Sequence, residues 1–205
     1  MKPGDFMLGV VDFFGALVPG AILVGAVEQF YGQHLPTELR WDLAGETSAW
    51  VVRGVLAFIV GNAAFFLGSA LDGPYDLYRK AKWPPHADRA YERANELRER
   101  ALGDRKGAEV MSAFQWSKAV LSLEKRDALG EVEQHEASSK FFRSLMVVLL
   151  CLTLVLLERG HWRYGLGAFA LSLASFFPYA DRRYKSTRRA YELVVTLKSP
   201  APKEA

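Results

Sequence analysis

One run limits what this chain can become: "FFRSLMVVLLCLTLVLL", Phe141 to Leu157, in which no residue from Ser144 onward carries a charge. A helix of that length rises about 25 Å, close to the hydrocarbon thickness of a bilayer. In lipid a backbone satisfies its own hydrogen bonds only as a helix or a closed barrel, and unbroken Leu and Val favour the helix. Three further windows are long and apolar enough to accompany it: Phe6 to Tyr31, Trp50 to Leu71, and Trp162 to Ala180. The pattern predicts an all-α integral membrane protein with four transmembrane helices and a cytoplasmic helical bundle.

Composition agrees once it is divided by region. Half of the 205 residues are hydrophobic, yet the mean hydropathy is only +0.01, because apolar blocks alternate with charged stretches. The net charge of +3 is gathered beside the apolar blocks, so it does not argue for direct nucleic-acid binding. A lone cysteine, Cys151, excludes an intramolecular disulfide and a Cys-rich metal site. The first apolar block reads as a retained span rather than a signal peptide. Lys2 is set against Asp5, Asp12 interrupts the run, and no small-residue cleavage site precedes Glu28.

Aromatic rings mark the boundaries, with Tyr31, Trp50, Trp162 and Tyr164 at one set of ends and Tyr75, Tyr78, Trp83, Phe141, Phe142 and Tyr179 at the other. Basic residues crowd the second set: Arg79, Lys80, Lys82 and Arg89, then Lys125, Arg126 and Lys140. Past the fourth span come Arg182, Arg183, Lys185, Arg188 and Arg189. The positive-inside rule puts both termini in the cytoplasm, although Arg159 and Arg163 on the short outer turn pull mildly the other way. The chain then divides into a first hairpin at 1–72, a cytoplasmic helical insert at 73–140, a second hairpin at 141–180, and a basic C-terminal helix and tail at 181–205. From about Arg126 no strong breaker interrupts the approach to the third span, so one helix should rise from cytoplasm into membrane. The fourth should continue beyond Ala180, with a kink expected at Pro178.

Polar residues inside spans are costly and usually face partners or water. Asp12, Asn62 and Arg143 lie toward the cytoplasmic side and Glu28 and Arg53 toward the outer side. This predicts two clusters: Asp12 with Arg143 or Asn62, and Glu28 with Arg53. Asp12 reads equally well as an interfacial carboxylate near a helix N-terminus. Small residues allow close helix approach in lipid, and they recur at Ala57, Gly61, Ala64 and Gly68, at Ala16 and Gly20, and from Ala21 to Gly25. They make the first two spans candidates for an inner layer, around a symmetry axis or within one monomer. The nearly pure Leu/Val third span is expected to meet lipid. The basic cluster Arg182, Arg183, Lys185, Arg188 and Arg189 suits lipid headgroups or a partner, or sets topology alone.

No catalytic constellation stands out. His34, His86, His135 and His161 are dispersed, and no phosphate loop or nucleophile elbow is present. Arg79 and His86 have a spacing similar to that of HEPN ribonucleases, but Pro84 and Pro85 intervene and Lys80 follows the arginine. The expectation is a protein that is not an enzyme and carries no metal or cofactor.

Three stretches together, "LDGPYDLY", "EVEQHEASSKFFRSL" and "YADRRYKSTRRAYEL", resemble a set of uncharacterised bacterial four-span membrane proteins with a cytoplasmic helical insert. That resemblance implies the bacterial inner membrane. It extends loosely to membrane components of antiviral defence operons. The expected function is an oligomeric, channel-like membrane effector whose cytoplasmic domain senses a partner or ligand and controls permeability. The alternative is a non-catalytic anchor recruiting a soluble cytoplasmic protein. Expected partners are membrane lipids, further copies of the chain, and that soluble protein.

Overall fold

The computed structural model describes residues 3–34, 46–83, 88–103 and 111–199, and within them all side chains except those of 3–12, 14, 34 and 46–49. Asp12 and His34 therefore have no described side chain, and His86 lies outside the described residues. Every regular element among the described residues is helical: α1 (Pro3–Tyr31), α2 (Glu46–Leu67), α3 (Asp72–Lys82), α4 (Arg89–Leu102), α5 (Ala113–Glu124), α6 (Arg126–Glu158) and α7 (Trp162–Lys198). Short 3-10 turns at Gly32–His34 and Gly68–Leu71 follow α1 and α2.

Local chemistry accounts for the ends. Asp88 caps α4 by accepting the backbone N–H of Tyr91 at 3.1 Å. Ser112 and Gln115 form a reciprocal capping box at the start of α5. The turn from α6 to α7 needs a left-handed residue, and Gly160 supplies it with φ 76°. Helix α6 runs for 33 residues, about 50 Å, and α7 for 37, about 55 Å, with Pro178 inside the helix. Both lengths exceed the roughly 30 Å of a hydrocarbon core.

Among the described residues, two continuous helical stretches are long and apolar enough to cross a membrane: Trp50–Lys82, which runs from α2 through its 3-10 turn into α3, and Arg126–Glu158, which is α6. Only 22% and 33% of their most apolar windows are buried within the protein, whereas a soluble core helix would be mostly covered. Gly15–Tyr31 adds a shorter apolar stretch. The expected fourth window, Trp162 to Ala180, is helical within α7 but is not among the two, since Gly165, Gly167, Ser172 and Ser175 dilute it.

The packing order corrects one expectation. The first two apolar windows are the expected inner layer, but within the chain α6 is the central helix, packed against α1, α2 and α7. Its Met146, Val148, Leu149, Thr153 and Leu156 are buried. The reason lies on α7, where Gly165, Ala168, Ser172 and Ser175 form a small-residue face. A Cβ on Gly165 would stand 3.0 Å from Leu157 Cδ2, and Ser172 Oγ donates to the Met146 carbonyl at 2.9 Å. Small residues on one helix admit large apolar ones from the other.

The stripe between α1 and α2 is spent within one chain. A Cβ on Gly20 would lie 1.7 Å from the Ala57 carbonyl oxygen, and one on Gly61 would lie 1.9 Å from that of Ala16. Ala64, on the same stripe of α2, is buried as well. Gly25 has nothing within 4 Å of its would-be Cβ. Gly68 serves a different purpose, because its would-be Cβ stands 2.6 Å from Arg143 Cγ. It makes room for the arginine stem rather than for another backbone.

Beyond the apolar segments, α4, α5 and the second half of α7 share a core of Ala94, Ala113, Trp116, Tyr191 and Val194. A second cluster joins Leu121 of α5, Leu129 and Val132 of α6, and Ala190 of α7. The charged C-terminal helix thus completes the core of the insert.

Candidate functional site

Where α2 gives way to α3, the 3-10 turn brings Asp72 out beside α6 and α7. Its Oδ1 accepts hydrogen bonds from the Tyr179 hydroxyl at 3.1 Å and from Arg183 Nη1, and Arg143 Nη1 lies 3.5 Å away. Arg183 also donates to the Tyr179 hydroxyl at 2.5 Å. One carboxylate therefore ties three helices. Aromatic rings wall the knot: the Arg143 guanidinium lies 3.9 Å from the centre of the Phe65 ring, and that of Arg183 lies 4.5 Å from the centre of Tyr75. Tyr75 packs against Tyr179 with centroids 5.8 Å apart, and both are buried. Such cation–π contacts strengthen as water is excluded. Burial works against the Arg183 charge, but the Asp72 carboxylate and Tyr179 hydroxyl outweigh it and raise its pKa above the ordinary arginine range.

Two cavities flank this knot. One, of about 280 Å³, lies among α5, α6 and α7 with Phe65 of α2 at its wall, and is lined by Lys140, Arg143, Arg183, Glu136, Ser139 and Ser186. The other, of about 340 Å³, opens toward α4 and is lined by Tyr75, Tyr91, Tyr184, Tyr191, Arg79 and Arg188. Trp83 stacks flat on Tyr184 at its edge, centroids 4.1 Å apart. Burial is the largest influence on Tyr191, and its hydroxyl is pushed up to about 12.

The polar residues singled out in the sequence fall as follows. Glu28 and Arg53 are paired across α1 and α2, with Oε1 and Nη2 2.5 Å apart, and Arg53 also lies over Trp50. Beside them is an apolar cavity of about 640 Å³. Asn62 donates to the Phe58 carbonyl of its own helix at 2.8 Å. Arg143 is met by Asp72, a residue outside the expected cluster. Its signal in the sequence was an acid one residue past the second apolar window, Trp50 to Leu71. The pairing of Asp12 falls outside the described side chains.

The basic cluster that follows Ala180 on α7 is largely answered inside the protein. Lys185 pairs with Asp181, Arg188 with Glu192, and Arg189 with Glu131 and Glu192. Arg182 stands 3.4 Å from His135 Nδ1. Among the described residues, no three of His, Cys, Asp and Glu converge to hold a metal ion.

No protein-family model matches the chain, and no curated protein or solved structure matches it either.

Proposed function

We propose that this is a four-span protein of the bacterial inner membrane, with both termini cytoplasmic, that acts as an oligomeric effector. Its cytoplasmic bundle senses a ligand or partner and changes membrane permeability through the spans. The observation that carries the reading is the Asp72 knot. It fastens the end of one apolar helix to α6 and α7, and both of those helices also build the cytoplasmic core. A displacement of the bundle would have to move Arg143 or Arg183 relative to Asp72, and so act on α2. Two arrangements of one packed element are what coupling requires.

The non-conducting anchor is the second reading, favoured by the seam between α1 and α2. Its glycines are already occupied within one chain and leave that face unavailable for a central pore.

Two measurements test the proposal. Single cysteines at positions 125 and 161, in a Cys151→Ser background, are labelled with an impermeant maleimide on intact spheroplasts. Position 161 should react and position 125 should not; reaction at 125 from outside sinks the topology. Liposome flux with and without the native genomic neighbours then separates effector from anchor. Ion-tight liposomes under every condition leave only the anchor. An effector should also lose regulated flux in Asp72→Asn while remaining folded.

A further inference from the structure

We propose that the cavity among α5, α6 and α7 binds a phosphate-bearing anion, with Arg143 and Arg183 as its receptors. The chemistry stands on the cavity itself; only the choice between a lipid and a soluble source rests on the membrane reading above.

Two guanidiniums share one carboxylate here, and they share a single oxygen of it. The Arg143 contact is at the outer limit of a hydrogen bond, its side chain is only 13% exposed, and its Nε is buried with no hydrogen-bond partner. A buried cation so thinly paired is costly, and a second anion in the adjoining space would offset that cost. Guanidinium forks match phosphate oxygens two at a time. Ser139 and Ser186 add hydroxyl donors to the same wall, whereas the Tyr179 hydroxyl there is already committed to Asp72. The one acid in the lining, Glu136, is already held by Lys118 at 2.6 Å and Lys140 at 3.8 Å, so its repulsion toward an incoming anion is offset. The volume of about 280 Å³ is about nine times the share of one water in the liquid, room for a phosphate and part of its ester. The cavity lies beside Asp72, one turn past the apolar part of α2, at the depth where phosphate headgroups meet a cytoplasmic surface.

The test follows thermal unfolding of the full chain. In neutral detergent it is titrated with inorganic phosphate against sodium chloride of matched ionic strength. In nanodiscs, phosphatidylcholine alone is compared with phosphatidylcholine containing phosphatidic acid. A site gives a saturable rise in Tm. Arg143→Gln should weaken the apparent affinity about tenfold or more, the loss of a charge-assisted hydrogen bond. Arg143→Lys should weaken it less. Ser186→Leu should abolish it by filling the cavity with every charge in place, and it decides the matter if Arg143→Gln does not fold. Stabilisation by phosphate in detergent identifies a soluble ligand; stabilisation only by phosphatidic acid identifies a headgroup. No rise in either medium, or an equal rise in wild type and Ser186→Leu, overturns the proposal. Phosphate stabilisation alongside a failed labelling test would retain the site and discard the topology.

Discussion

Alanine in place of glycine at three positions of α1 and α2 should give opposite results, because only two of the glycines touch another backbone. At Gly61 the added carbon would stand 1.9 Å from the Ala16 carbonyl oxygen, where ordinary contact begins near 3.4 Å. The helices would have to separate by about 1.5 Å, and the obstacle is backbone, which cannot swing aside as a side chain can. Gly20 meets the Ala57 carbonyl in the same way at 1.7 Å. Overpacking of this kind costs about 1–3 kcal/mol, and the rigid obstacle places these sites at the upper end. The helix preference of alanine returns about 1 kcal/mol, leaving a net loss of about 2 kcal/mol for each. Gly25→Ala meets nothing and should be neutral or stabilising by up to about 1 kcal/mol. Unfolding by added SDS in mixed micelles, followed by tryptophan fluorescence, gives the ranking. If Gly20→Ala and Gly61→Ala proved as stable as Gly25→Ala, the seam would not lie within one chain.

Arg53→Leu should destabilise the first hairpin by leaving Glu28 without its arginine, by at most the roughly 2.5–3.5 kcal/mol that insertion scales assign to a charge at a span centre. Adding Glu28→Gln should restore most of the loss, and a double-mutant cycle in the same micelles measures it. Tyr191 should make the core shared by α4, α5 and α7 sensitive to alkali. Below about pH 10 the phenol is neutral folded and unfolded; above it the unfolded chain ionises first, so stability falls as pH rises toward about 12. The wild type should therefore lose about 1–2 kcal/mol more than Tyr191→Phe across that window, after allowance for solvent screening. Parallel alkaline unfolding curves would show that Tyr191 is not buried as described.

The apolar run from Phe141 to Leu157 was sufficient to forecast a helix, and the absence of a strong breaker from Arg126 forecast its continuation, because helix formation is local and periodic. The seam of Ala16, Gly20, Ala57 and Gly61 was visible for a similar reason: residue size is written in the sequence, and small residues leave few uses other than close approach. The Glu28 and Arg53 pairing followed from reading two consecutive apolar helices as an antiparallel pair, which sets these two residues opposite each other. What the chain did not disclose is which helix lies at the centre. A Leu and Val surface suits lipid and suits a facing row of small residues equally well, and only the packing of α7 against it chose between them. Nor did spacing along the chain join Asp72 to Arg143 and Arg183, which lie far away in sequence. Charges find partners by distance in space, and that distance was set by how four helices close around one another.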